Sequence, residues 1–234
     1  MSKSFRELGV SRPVVDALEA RKIESPFRIQ ELVLPDALAG LDVLARSPPG
    51  SGKTLAFAVP IAERIARDDG FPSALVLVPT RELAVQVTAE IEPLAAAKGL
   101  SVVAVYGGMP LHTQAKRAKR SQILVATPGR LEDLVQRRLV DLGRVRILIL
   151  DEADRMLDMG FKPQVDKLVR RVPQNRQTMF FSATLDGRSA LSRARTRTAR
   201  PASRETPSPK IPARSSTTSS RSPRTRRSRR SSST

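Results

Sequence analysis

Two neighbouring carboxylates follow an apolar run in the second half of the chain. Asp151 and Glu152 open the segment Asp-Glu-Ala-Asp, directly after the Ile-Leu-Ile-Leu run at 147–150. An aliphatic run of this length is typical of a strand buried on both faces of a parallel sheet. Ligands of open α/β sheets bind at the carboxyl ends of the strands, where two carboxylates can hold a magnesium ion and orient a water molecule. The chemistry that this indicates is nucleotide hydrolysis, although acidic clusters are also common at solvated helix starts.

A glycine-rich loop earlier in the chain supplies what such chemistry needs for phosphate. Residues 47–54 read Ser-Pro-Pro-Gly-Ser-Gly-Lys-Thr and stand between a predicted strand and a predicted helix, which is the context of a phosphate loop. The glycines permit close approach of the backbone, and the free N–H groups at the start of a helix attract phosphate oxygens. Lys53 would reach the β- and γ-phosphates, and the Thr54 hydroxyl would ligate magnesium. The predicted nucleotide-binding residues of this loop are Pro49, Gly50, Ser51, Gly52, Lys53 and Thr54.

The elements that must position these residues alternate along the chain. Apolar runs predict strands at 42–46, 74–78, 102–106, 123–126, 147–150 and 178–182. Amphipathic stretches predict helices at 12–20, 30–38, 53–66, 81–96, 111–118, 130–137 and 163–171. Alternation of this kind predicts an α/β fold, with a mostly parallel, twisted sheet covered by helices on both faces.

Charge is distributed unevenly along the 234 residues. Residues 188–234 hold 14 of the 41 Lys and Arg and a single acidic residue, whereas residues 1–187 hold 27 basic and 22 acidic residues. The net charge of +18 therefore describes the end of the chain and is not evidence that the folded part binds nucleic acid. Without cysteine, disulfides and cysteine-based zinc sites are excluded. No apolar run approaches the ~18 residues of a membrane span, so we expect a cytoplasmic protein that does not enter a membrane.

The composition changes abruptly after Leu185. Residues 188–234 contain 13 Ser, 7 Thr and 5 Pro, and Leu191 and Ile211 are their only large aliphatic residues. A segment of this kind buries too little apolar surface to offset the entropy of ordering it. The sequence therefore predicts one domain at 1–187 and a disordered basic tail at 188–234.

Several further segments, taken in order, resemble one family. Pro-Phe-Arg-Ile-Gln at 26–30, with Phe5 upstream, is similar to the Q motif of DEAD-box ATP-dependent RNA helicases. Other motifs of that family have counterparts at 79–84 (motif Ia), 107–108 (the Gly-Gly element), 127–130 (motif Ib), 155–161 and 182–184 (motif III). The resemblance covers about residues 5–185 and implies a single P-loop domain of the RecA type, equivalent to the amino-terminal half of the family's proteins.

The resemblance implies a role for each matching position in a site for ATP and Mg²⁺. Gln30 would read the adenine edge, with Phe5 nearby, and Lys53 would act in catalysis. Asp151 would hold magnesium, partly through water, together with Thr54, and Glu152 would deprotonate the attacking water. The residues implied to couple the nucleotide state to the rest of the molecule are Asp154, Ser182 and Thr184.

The same resemblance implies RNA as the partner. Five positions would line the RNA backbone, and we call them the RNA track: Arg81, Gly108, Thr127, Gly129 and Arg130. Glycines and helix-start amides suit contacts to phosphate and sugar, which provide affinity without reading sequence. Found alone, several of these residues would have simpler interpretations, such as a helix-start ion pair or a plain turn.

Two local departures from the family concern the nucleotide site. Pro49 stands in the phosphate loop and removes one backbone donor, so we expect weaker nucleotide binding than in a Pro49→Thr variant. Lys22 and Phe27 replace the glycine and threonine that the family favours, which predicts an altered adenine pocket.

The larger departure follows residue 185. Family members continue into a second lobe whose arginines complete the ATP site, and residues 188–234 contain none of its motifs. One hypothesis is a truncated helicase whose tail is an out-of-frame reading of a GC-rich gene; the alternative is a genuine basic tail that tethers RNA. The expected function is that of an ATP-dependent RNA helicase, inactive on its own without the second lobe. The alternative is a nucleotide-binding, RNA-associating module without helicase activity, whereas a DNA helicase or unrelated P-loop ATPase fits the motifs less well.

Overall fold

The computed structural model describes residues 3–48 and 50–184. Six strands alternate with helices: β1 Val43–Arg46, β2 Ala74–Leu77, β3 Val102–Val105, β4 Ile123–Ala126, β5 Ile147–Leu150 and β6 Gln177–Ser182. The helices are α1 Arg12–Glu19, α2 Arg28–Leu38, α3 Lys53–Arg64, α4 Arg81–Ala97, α5 Leu111–Ala118, α6 Pro128–Gln136, α7 Ala153–Asp158 and α8 Lys162–Val169. None of these helices is both long and apolar enough to cross a membrane.

All six strands form one sheet in the order β1-β6-β5-β2-β4-β3, and every pairing is parallel. Parallel strands align their carboxyl ends along one edge of the sheet. The predicted α/β fold is therefore confirmed, and within the described residues the sheet is wholly parallel rather than mostly so.

Alternate residues of each strand pack into two separate cores. On one face the strands pack against α1 to α4, and on the other against α5 to α8. In β5, for example, Ile147 and Ile149 belong to the first core, whereas Leu148 and Leu150 belong to the second. Because both faces are covered, the strands can be aliphatic throughout, as the sequence pattern indicated.

Most predicted element boundaries agree with the structure to within two residues, and α7 is the element that the pattern did not predict. It is six residues long and begins inside the acidic segment itself. Helix α6 begins two residues earlier than predicted because Pro128 occupies its first turn, where a missing N–H costs nothing. The predicted boundary at 187, the tail at 188–234 and Pro49 lie outside the described residues.

Candidate nucleotide and RNA site

The phosphate loop lies at the carboxyl ends of β1 and its neighbours. The Ser47 amide donates to the Ser182 carbonyl at 2.9 Å, which joins the start of the loop to the end of β6. At the other end of the loop Gly52 caps α3 with a left-handed backbone, φ 80°. A side chain at this glycine would collide with the ring of Phe27 and the amide of Gln30. The loop is therefore held between the sheet edge and the segment that precedes α2.

Lys53 connects the loop to the acidic segment. Its Nζ lies 3.0 Å from Asp151 Oδ1 and 3.2 Å from Glu152 Oε1. The lysine is buried, so these charges attract each other with little screening from solvent. Two sites predicted from segments almost 100 residues apart are thus one cluster in space.

Asp151 is fully buried, and burial raises its pKa to about 6 despite the opposing effects of Lys53, which lower it. Its Oδ1 faces Lys53 and accepts from the Glu152 amide at 2.9 Å. Its Oδ2 is buried and has no hydrogen-bond partner among residues 3–48 and 50–184. A buried carboxylate oxygen of this kind fits a divalent cation, which would hold the group ionised. Thr54, the other predicted ligand, follows Lys53 in the first turn of α3 and is buried.

Glu152 adopts a left-handed backbone conformation, φ 50° and ψ 48°, immediately before α7. Residues other than glycine rarely adopt this conformation, which costs about 1–2 kcal/mol. Its two carboxylate oxygens have different partners: Oε1 faces Lys53, and Oε2 accepts from Arg155 Nη1 at 3.2 Å. The turn keeps the Glu152 carboxylate next to Asp151 while the chain turns into a helix.

The carboxamide of Gln30 bridges two backbone groups of the protein. Its Oε1 accepts from the Phe27 amide at 2.9 Å, and its Nε2 donates to the Gly52 carbonyl at 2.8 Å. The predicted adenine-reading residue thus lies directly against the phosphate loop. Phe27, where the family favours threonine, is 61% exposed, and its ring lies beside Gly52.

Phe5 is a core residue. Its ring is 2% exposed and belongs to the core between the sheet and the first four helices. The structure thus places Phe5 among core side chains, and its assignment to the nucleotide site stays a prediction.

Asp154 joins α7 to the chain after β6. Its Oδ2 accepts from the amides of Ala183 and Thr184, both at 3.1 Å, and from the Thr184 hydroxyl at 3.4 Å. Partial burial alone would raise the pKa of Asp154, but hydrogen bonds outweigh burial and hold the pKa below its ordinary value. The donors are the amides of Arg155, Thr184 and Ala183 and the hydroxyl of Ser182. The three predicted coupling residues are therefore in contact.

The RNA track lies at the carboxyl ends of β2, β3 and β4. Arg81, the first residue of α4, donates to the Gly107 carbonyl at 3.3 Å. Gly108 has φ 91°, and a side chain there would lie 2.7 Å from the Arg81 guanidinium. The backbone conformation favours glycine at this position, and the absence of a side chain lets the arginine pack closely on it.

The remaining track residues surround the start of α6. Thr127 precedes the helix and is held by its amide, which donates to the Val105 carbonyl at 2.9 Å. Gly129, in the first turn, faces open space. Arg130 donates to the Met109 carbonyl at 2.8 Å and to Gln114 Oε1 at 2.9 Å. The structure thus gathers all five predicted positions along one edge of the sheet.

Sequence reasoning missed two residues that support these sites. Gln114 is buried and connects Arg130 to the Tyr106 carbonyl, to which its Nε2 donates at 3.0 Å. Arg155 contacts the acidic pair through Glu152. A polar residue on the buried face of a predicted helix could have indicated Gln114. No sequence signal indicated that Arg155 pairs with Glu152.

Comparisons with known proteins show the family to which the chain belongs. The family model described as DEAD/DEAH box helicase matches residues 27–192. The pre-mRNA-processing ATP-dependent RNA helicase prp-5 of Neurospora crassa is 44% identical over an alignment of 193 residues, and the match covers 78% of this chain and 16% of that protein. The DEAD-box ATP-dependent RNA helicase CshA of Streptococcus pneumoniae is 43% identical over 182 residues, 77% of this chain and 35% of that protein.

Two solved structures of related proteins resemble the fold of this chain. A DEAD box protein from Methanococcus jannaschii superimposes with a TM-score of 0.78 at 38% identity, over 84% of this chain and 54% of that one. A hypothetical ATP-dependent RNA helicase from Sulfolobus tokodaii gives 0.74 at 34% identity, over 83% and 56%. The chain thus spans about a sixth to a third of these curated relatives and just over half of these solved chains. On the family match and these identities, the chain belongs to the DEAD-box RNA helicases.

Proposed function

We propose that this domain binds ATP with magnesium and forms the nucleotide-binding lobe of an RNA-dependent ATPase that unwinds RNA duplexes. The observation that carries the proposal is the cluster of Lys53, Asp151 and Glu152, in which a phosphate-loop lysine contacts both carboxylates at the strand ends. The family supports ATP and RNA as ligands. The magnesium site rests on the buried, unpartnered Oδ2 of Asp151 within the described residues.

The phosphate loop and Lys53 bind the triphosphate in this proposal. Lys53 leaves its carboxylate partners and turns its ammonium toward the phosphate oxygens, as the side chain has the length to do. Asp151 and Thr54 hold the cation, which, when bound, supplies positive charge against the phosphate oxygens. Glu152, released from Lys53, accepts a proton from the attacking water. Gln30 contacts the base after its carboxamide leaves its backbone partners.

Asp154, Ser182 and Thr184 couple this site to the rest of the protein. Their hydrogen bonds join the helix that follows the acidic pair to the segment after β6. A change at Glu152 is transmitted through α7 to this contact. The RNA track binds the phosphate backbone of RNA without reading its sequence.

On its own, the chain is expected to bind ATP but to hydrolyse it negligibly. The resemblance to the family implies that the arginines that stabilise the transition state belong to a second lobe. Such arginines raise the rate of hydrolysis by roughly 10³–10⁵-fold. Residues 1–184 correspond to the first lobe only.

Two measurements test the proposal. A fluorescent ATP analogue should bind the wild type, and Lys53→Ala should weaken binding by roughly 10–100-fold, because a hydrogen bond to a charged group is lost. Lys162→Ala, which removes an exposed lysine from α8, is the matched control and should bind as the wild type does. Phosphate release should stay at background with and without RNA. Equal affinity of the Lys53 variant would contradict the nucleotide site, and clear RNA stimulation would contradict the requirement for a second lobe.

A further inference from the structure

A long part of the chain around the RNA track contains no acidic residue. Between Glu92 and Glu132 there is no Asp or Glu, while six cations are present: Lys98, Lys116, Arg117, Lys119, Arg120 and Arg130. In the rest of residues 1–187, by contrast, basic and acidic residues are nearly equal in number. The excess of positive charge is therefore concentrated on the elements that this part of the chain builds, which include β3, α5 and β4.

Four of the six cations lie on or just after α5, and we call them the basic stripe: Lys116, Arg117, Lys119 and Arg120. All four side chains are exposed, and none lies within ion-pair distance of an acidic group of residues 3–48 and 50–184. The opposite side of the helix, with Ala115 and Ala118, is buried against the sheet. Because residues three and four apart share a helix face, the cations form a continuous row.

Helix α5 attaches the basic stripe to the RNA track. The helix begins at Leu111, three residues after Gly108. Its buried Gln114 accepts from Arg130 at 2.9 Å and donates to the Tyr106 carbonyl, which fixes the helix to the track. The eight residues of α5 span ~12 Å, so the stripe lies within one helix length of Arg130. A strand leaving the track along α5 would pass over it.

Cations at the end of a helix also have a purely local explanation, since they stabilise the negative end of the helix dipole. Helix α8 offers the comparison, because it too ends in two exposed cations, Arg170 and Arg171. The body of α8, however, is neutralised: Lys162 pairs with Asp166, and Lys167 pairs with Glu132. The dipole therefore explains cations at both helix ends but not the acid-free surroundings of α5.

We propose that the basic stripe binds the phosphate backbone of single-stranded RNA and extends the RNA track along α5. This inference rests on the proposed function, which places RNA at the track. The contact neutralises phosphates without reading bases, so it adds affinity and salt dependence but no sequence preference.

The test compares two double variants of the full chain. Lys119→Ala with Arg120→Ala removes the last cations of the stripe, and Arg170→Ala with Arg171→Ala removes the same charge from the equivalent positions at the end of α8. In both helices the first residue of the pair is the C-cap, with φ −64° at Lys119 and −68° at Arg170, so effects on helix stability are matched. Affinity for a fluorescein-labelled oligouridylate is measured by anisotropy over a range of salt concentrations. Circular dichroism melting curves confirm that both variants are folded.

Each phosphate neutralised in a single strand contributes about 0.7 to the slope of log K against log salt. The α5 variant should therefore lower the slope by about 1.4, whereas the α8 variant should leave it unchanged. Equal slopes for the two variants overturn the proposal. An Arg130→Ala variant separates RNA binding at the track from RNA binding at the stripe. If it weakens binding while the α5 variant does not, the RNA track binds RNA and the stripe does not. If neither variant weakens binding, both are wrong.

Discussion

Lys22 occupies a backbone conformation that its side chain makes costly. It follows α1 with φ 61°, and the next amide, that of Ile23, donates to the Leu18 carbonyl at 3.0 Å, as in a helix end closed by a left-handed residue. Glycine adopts this conformation without steric cost. We expect Lys22→Gly to raise the free energy of unfolding by about 1 kcal/mol, measured by urea denaturation.

The control is Arg170→Gly, at a helix end where the backbone is right-handed, φ −68°. There glycine adds only flexibility to the unfolded chain, so stability should fall slightly. A loss of stability on Lys22→Gly would show that the lysine side chain contributes more than its backbone conformation costs.

For single residues, the sequence indicated candidates for the site but not the contacts that they make. Lys53 and Asp151 stand in short motifs with a fixed local context, so their types and spacing predict the chemistry. The bridge from Gln30 to the Gly52 carbonyl depends on how two segments 22 residues apart pack. The burial of Phe5 and the exposure of Phe27 depend on packing in the same way, and neither follows from residue type.

The contact between α7 and the chain after β6 depends on one ionised carboxylate. Asp154→Asn keeps the size of the side chain but removes the negative charge of the carboxylate, whose oxygen accepts from the amides of Ala183 and Thr184. We expect a loss of about 1 kcal/mol in the free energy of unfolding at neutral pH, since the hydrogen bonds are charge-assisted but partly exposed.

The pH dependence of this loss has a definite sign. The pKa of Asp154 is lower in the folded than in the unfolded chain, so its ionisation favours folding. The stabilisation is present above the ordinary aspartate pKa of ~4 and is lost as pH falls through the lower folded value. The difference between wild type and Asp154→Asn should therefore shrink in acid. If the difference in free energy of unfolding between the two proteins is constant from neutral pH to pH ~3, the pKa of Asp154 is not lowered by folding.

Elements with an unbroken hydrophobic pattern were predictable even where they are short. Strands β4 and β5 agree with the predicted bounds, since an uninterrupted aliphatic run ends where polar residues begin. Helix α7 was not predictable from the sequence, because six residues make fewer than two helical turns and show no amphipathic repeat. Its start also depends on the left-handed turn at Glu152.

Over the whole molecule, charge and nucleotide chemistry are located in different parts of the chain. Residues 188–234 carry 14 cations, whereas the phosphate loop and the acidic pair lie within residues 47–152. Deleting 188–234 should lower affinity for RNA and reduce its salt dependence, because counterion release scales with the number of cations in contact. Affinity for a fluorescent ATP analogue should be unchanged. Loss of ATP-analogue binding in the deletion would show that the nucleotide site depends on those residues.

The position of β1 at one edge of the sheet has a consequence for how the protein is made. Among residues 3–48 and 50–184, β1 pairs with β6 alone, in a register that joins Val43 to Met179 and Arg46 to Ser182. During synthesis, β1 leaves the ribosome long before its partner exists, and it stays unpaired until Ser182 has emerged. In a nascent chain the start of the phosphate loop is therefore joined to the sheet only after β6 has emerged, although the loop itself is synthesised before β2 to β6.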